Sequence, residues 1–146
     1  MMNSIPKRFS DNIQLHIIRN LWDVTSDTTA LIMGIEGPPG EGKSYQCRKV
    51  LETLGYKYVE MSTSDFGSAL EAEAAKHLCA KYVEASVMSQ ITRKPYAIIC
   101  DDIDAAIGQW NDLTQYTVNL QYVCGEFMHL CDSPTRVRVD RRKLTD

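Results

Sequence analysis

The chain has 146 residues, 44% hydrophobic and 24% charged, enough for one globular domain with its own core. A formal net charge of −3 argues against a protein that coats nucleic acid. The five cysteines, Cys47, Cys79, Cys100, Cys124 and Cys131, contain no C-x-x-C pair, which argues against zinc and against a secreted disulfide framework; no signal-peptide core or membrane-length apolar run is present.

In chain order, Ser10-Asp11-Asn12 offers a helix cap, and Ile13, Ile17, Ile18 and Leu21 predict one apolar helix face ending near Trp22. Asp23 to Thr29 reads as a polar loop. Ala30-Leu31-Ile32-Met33-Gly34-Ile35 reads as a buried strand leading into Gly37-Pro38-Pro39-Gly40-Glu41-Gly42-Lys43-Ser44. That stretch fits G-x-x-x-x-G-K-[ST]. Its glycines let successive backbone N–H groups turn inward just before a helix, whose dipole reinforces a concave anion site. On this pattern Lys43 reaches the β- and γ-phosphates of ATP and the Ser44 hydroxyl is a Mg²⁺ ligand, so Gly37 through Ser44, with Tyr45, are the candidate nucleotide contacts. Cys47, Val50, Leu51 and Leu54 recur at helical spacing, and Gly55 is placed to end that helix in a left-handed cap.

Lys57–Met61 reads as a second strand. A helix from Ser68 onward carries Leu70, Ala74, Leu78, Tyr82, Ala85 and Met88 on one face, and Arg93-Lys94-Pro95 breaks it. Tyr96-Ala97-Ile98-Ile99-Cys100 is short, continuous and apolar, the pattern of a parallel strand covered on both faces. A last helix carries Leu113, Tyr116, Leu120, Val123, Phe127 and Leu130 and stops before Pro134. The order β-α-β-α-β-α predicts an α/β fold built on a parallel sheet.

The third strand runs directly into Asp101-Asp102-Ile103-Asp104. Carboxylates at the C-terminal end of a central strand suit a phosphate-loop ATPase, with Asp101 assigned to Mg²⁺, Asp102 to the attacking water, and Asp104 to a supporting place. The plain alternative is that these aspartates cap the next turn. His16, His77 and His129 fall on separate helices without ligand spacing and read as solvent-facing or internally satisfied. Arg136, Arg138, Arg141, Arg142 and Lys143 read as a solvated basic stretch, and contact with an acidic client or nucleic acid is the alternative.

Several blocks together resemble the AAA+ module of Rubisco activase. Phe9-Ser10-Asp11 with its helix is similar to the segment before the first strand, and Gly42-Lys43-Ser44-Tyr45-Gln46-Cys47 is similar to the family's G-K-S-F-Q-C. Met61-Ser62, Glu73-Ala74-Ala75-Lys76 and Tyr82 fit its next block. Thr114-Gln115-Tyr116-Thr117-Val118-Asn119, Gln121 and Asp132-Ser133-Pro134-Thr135 resemble T-Q-Y-T-V-N-N-Q and D-N-P-T. Departures lie in the generic AAA+ usage of Gly37–Glu41 and in Asp101, where plant activases typically carry Asn.

The resemblance implies a P-loop NTPase (AAA+) parallel sheet with flanking helices, truncated before strands 4 and 5 and the helical lid, so that residues 1–146 form one partial α/β subdomain, incomplete at the C-terminus. It implies an ATP- and Mg²⁺-dependent ring, usually a hexamer, that frees inhibitory sugar phosphates from Rubisco, in bacterial-type cytoplasm or plastid stroma. Phe66 and Trp110 stand where such rings expose pore loops, or else anchor those loops to the domain. A nucleotide-dependent loader or switch acting on another client, and an ATP-binding fragment without turnover, are the alternatives. This chain alone is expected to hydrolyse little or no ATP.

Overall fold

A computed structural model of the chain describes residues 5–22, 29–62, 73–103 and 114–133. Four helices and two strands lie among them: α1 Lys7–Trp22, α2 Lys43–Thr53, β1 Lys57–Met61, α3 Glu73–Thr92, β2 Tyr96–Cys100 and α4 Thr114–Asp132. They belong to two compact units, residues 1–57 and 58–146.

In the first unit α1 packs on α2, and Ile13, Val50 and Leu51 are buried. Each such side chain contributes about 1.5–3 kcal/mol when taken fully out of water. Helix α1 starts at Lys7, three residues before the expected cap. The Pro6 carbonyl accepts hydrogen bonds from Phe9 N–H (3.0 Å) and Ser10 N–H (3.2 Å), so Ser10-Asp11-Asn12 lie inside the helix. Of the rest of its apolar face Ile17 is half-buried, while Ile18 and Leu21 are exposed, as are Leu15 and Trp22, the last at 86%.

Helix α2 ends as its sequence predicts. Gly55 has φ 76°, its N–H bonds to Glu52 O at 3.1 Å, and Tyr56 N–H bonds to Leu51 O at 2.9 Å. Those two bonds make a Schellman cap, which needs a residue free to be left-handed.

The expected strand at residues 30–35 is not one. It has no ladder partner among the described residues, although its exposure still alternates with the period of two that extended backbone imposes: Leu31, Met33 and Ile35 are half-buried, and Ala30, Ile32 and Gly34 are exposed. An apolar run favours extended backbone, but a strand forms only where a neighbour supplies hydrogen bonds. Here side chains of α1 hold the segment instead. Asn20 Nδ2 donates to Ala30 O at 3.0 Å, and His16 Nε2 pairs with Leu31 O at 3.2 Å, which satisfies that histidine internally.

The second unit contains a two-stranded parallel sheet, β1 beside β2. Helix α3 packs on β2 and on α4. Met61, Ala75, Leu78, Cys79, Ala85, Val123 and Leu130 are buried. Every residue of β2 is half-buried, so the doubly covered strand expected from its composition is not observed. The α3 face also includes Ala75 and Cys79, while Met88, placed on it by periodicity, is 37% exposed. Cys79 Sγ donates to Glu126 Oε2 at 3.3 Å, joining α3 to α4. Leu70, Phe66, Asp104, Trp110, Leu113 and the basic stretch from Arg136 lie outside the described residues, as do the side chains of Ala74, Tyr116 and Leu120.

Candidate functional site

The loop before α2 is shaped by two glycines. Gly40 has φ 83° and Gly42 φ 76°, left-handed values that a Cβ would strain. Gly42 immediately precedes α2 and brings no side-chain cap to it. The helix therefore starts without the Ser, Thr, Asp or Asn that usually covers its leading N–H groups, and the dipole's positive end is presented on the loop side. Residues 36–42 are solvent-exposed, Lys43 and Ser44 are half-buried, and Tyr45 is 54% exposed.

Lys43 folds back over its own loop. Its ammonium donates to Gly37 O at 2.7 Å and Pro38 O at 2.9 Å, so the cation lies within the turn that the glycines make. Gln46, from the second turn of α2, donates through Nε2 to Glu41 O at 3.0 Å, and its backbone N–H bonds to Gly42 O at 2.8 Å. This donor set fits a polyphosphate: one fixed cation, a helix start without a side-chain cap, and backbone bent so that N–H groups can converge.

The candidate carboxylates lie in the second unit, at the end of β2. Asp101 N–H bonds to Met61 O at 2.9 Å, carrying the β1–β2 pairing one residue past the strand. Its Oδ1 accepts the Asp102 N–H at 3.2 Å. Asp102 is exposed, with φ 50°, a left-handed conformation that aspartate tolerates better than most residues. Both carboxylates offer the hard oxygen donors that Mg²⁺ requires. Among the described residues no group of three or more His, Cys, Asp or Glu converges as a metal site, and no helix is long and apolar enough to cross a membrane.

Two features were not legible beforehand. The grip of His16 and Asn20 on residues 30–31 left no sequence signal, because it depends on how α1 lies beside an extended segment. A groove of about 730 Å³ opens there, lined among others by Leu15, Ile18, Trp22, Ala30 and Met33. The contact of Gln46 with Glu41 likewise appears only once the loop is bent.

Residues 33–139 match the family described as "ATPase family associated with various cellular activities (AAA)". The chain is similar to the ribulose bisphosphate carboxylase/oxygenase activase of Nostoc sp., 32% identical over 135 residues, which are 92% of this chain and 33% of that protein. It is also similar to the chloroplastic activases of Chlamydomonas reinhardtii (36% identical, 92% of this chain, 33% of that protein) and Zea mays (35%, 92% and 31%). The chain thus spans about a third of the length of the curated relatives it matches. With that match covering most of the sequence, the chain belongs to the ATPase family associated with various cellular activities.

Proposed function

We propose that this chain binds Mg²⁺-ATP and Mg²⁺-ADP through Gly37–Ser44, as the nucleotide-binding part of an activase-like AAA+ motor. The observation that carries the reading is the loop itself: left-handed Gly40 and Gly42 lead into a helix start that lacks a side-chain cap, with the Lys43 ammonium held inside the turn. Gly37, Pro38, Pro39, Gly40, Glu41, Gly42 and Tyr45 contribute backbone and flanking contacts, and Lys43 the positive charge against the β- and γ-phosphates. Ser44 and Asp101 are the proposed magnesium ligands. Asp102 is the proposed base that orients or deprotonates water, and Lys43 also stabilises charge on the phosphoryl group being transferred. The bound metal would supply charge neutralisation at the phosphates.

The client proposal rests on the relatives. Proteins named as Rubisco activases match 92% of the chain, so Rubisco is the proposed client, a homo-oligomeric ring the proposed assembly, and cytoplasm or plastid stroma the proposed compartment. A displacement assay tests the nucleotide reading. A fluorescent ADP analogue should bind with Mg²⁺ present and be competed off by tripolyphosphate, and Lys43→Ala should weaken it by about tenfold or more, the loss expected for a charge-assisted contact. Equal binding by parent and Lys43→Ala chains would overturn the assignment.

A further inference from the structure

We propose that Gln46 is the positioning residue of the phosphate loop, its side chain holding the Glu41–Gly42 peptide so that the Gly42 N–H faces the bound anion. The inference rests on the phosphate-loop reading above.

Gln46 holds two successive carbonyls. Its side-chain Nε2 donates to Glu41 O at 3.0 Å and its backbone N–H donates to Gly42 O at 2.8 Å. Every peptide bond described is trans, so in each peptide plane the N–H points opposite to the C=O. Drawing Glu41 O toward α2 turns the Gly42 N–H away from it. Drawing Gly42 O into the first helical turn does the same for the Lys43 N–H. Two consecutive donors are thereby aimed out of the start of the helix, where the dipole favours an anion.

Of the two bonds, the backbone one belongs to any α-helix. The side-chain bond does not, and it controls the less restrained peptide. Gly42 adopts left-handed backbone without penalty, and Gly40 lies two residues earlier, so the intervening peptides can rotate at little steric cost. A rotated Glu41–Gly42 peptide would present a carbonyl dipole to the phosphate. The amide orientation of Gln46 is fixed by chemistry, since its other terminal atom would set two oxygens against each other. A methionine at this position would keep the reach and lose the donor.

An exposed hydrogen bond of this kind biases the peptide orientation modestly. Apparent affinity falls in proportion to the competent fraction, so its loss is expected to weaken binding roughly three- to tenfold. The test is calorimetric titration of the 146-residue chain with Mg²⁺-ADP, tripolyphosphate and adenosine, comparing parent, Gln46→Met and Gln46→Lys at high salt. Salt screens the charge that lysine adds. The expected result is a roughly three- to tenfold loss for ADP and tripolyphosphate with Gln46→Met, none for adenosine, an unchanged melting midpoint without ligand, and recovery with Gln46→Lys. In the same variant the Gly42 amide resonance should broaden by exchange between two peptide orientations. Equal affinities, or a loss shared by adenosine along with a lowered melting midpoint, would overturn the role of Gln46. A parent chain that binds neither ADP nor tripolyphosphate would remove the phosphate-loop reading and this inference with it.

Discussion

Cys79 offers a prediction whose size follows from its surroundings. It is 6% exposed, between α3 and α4, and its thiol donates to Glu126 Oε2 at 3.3 Å. Burial first, then that hydrogen bond and the carboxylate's charge, push its pKa from an ordinary 9.0 to about 12. Three pH units remove about 99.9% of the thiolate present at any pH below 9, and the thiolate is the nucleophile. Alkylation at pH 8, followed by peptide mass spectrometry, should therefore modify Cys79 about a thousandfold more slowly in the native chain than in denaturant. Exposed Cys131 serves as the internal comparison. Glu126→Gln should restore only a minor part of the reactivity, because burial is the larger cause. Native labelling within about tenfold of the denatured rate would refute the packing of α3 on α4 described above.

Other outcomes follow from the same packing. The raised thiol pKa values of Cys79 (about 12) and Cys100 (about 11, through burial) favour the protonated forms in the fold. Their contribution to stability is complete below pH 9 and is lost as the pH rises toward the folded values; melting curves across that range should fall less steeply for Cys79→Val/Cys100→Val than for the parent. Arg93, which follows α3 with φ 53°, holds a conformation that costs a non-glycine residue roughly 1–2 kcal/mol, so Arg93→Gly should raise stability by up to about 1 kcal/mol in urea titration. Leu78, 1% exposed, should lose about 2–5 kcal/mol as Leu78→Ala. Residues 30–35 form an uncharged apolar run without a ladder partner among the described residues, and Ile32→Lys should lower self-association measured by light scattering without weakening nucleotide binding.

The readable parts of the sequence were those where a residue type has one physical use. Gly55 marked the end of α2 because the cap needs φ near 76°. Tyr96–Cys100 was visible as a short apolar run after the break at Arg93-Lys94-Pro95, and Lys57–Met61 as a short strand following the Gly55 cap. Positions set by neighbours were not visible. Ala30–Ile35 has the composition of a buried strand, yet composition does not state whether another strand lies beside it. Ser10-Asp11-Asn12 has good capping chemistry, but the Pro6 carbonyl starts the helix earlier. In the candidate site, motif spacing pointed to Lys43 and the loop glycines as candidates. It did not identify Gln46, whose contact reaches back five residues to a backbone oxygen and depends on the bend between them.

On the proposed function, the backbone of Gly40, Gly42 and Lys43 receives the phosphates of a nucleotide. Titrating the ¹⁵N-labelled chain with Mg²⁺-ADP while following those three amide resonances tests it most directly. Large, saturable shifts are expected at all three with ADP and with tripolyphosphate, and none with adenosine. Shifts confined to other residues, or the same response to adenosine as to ADP, would contradict it.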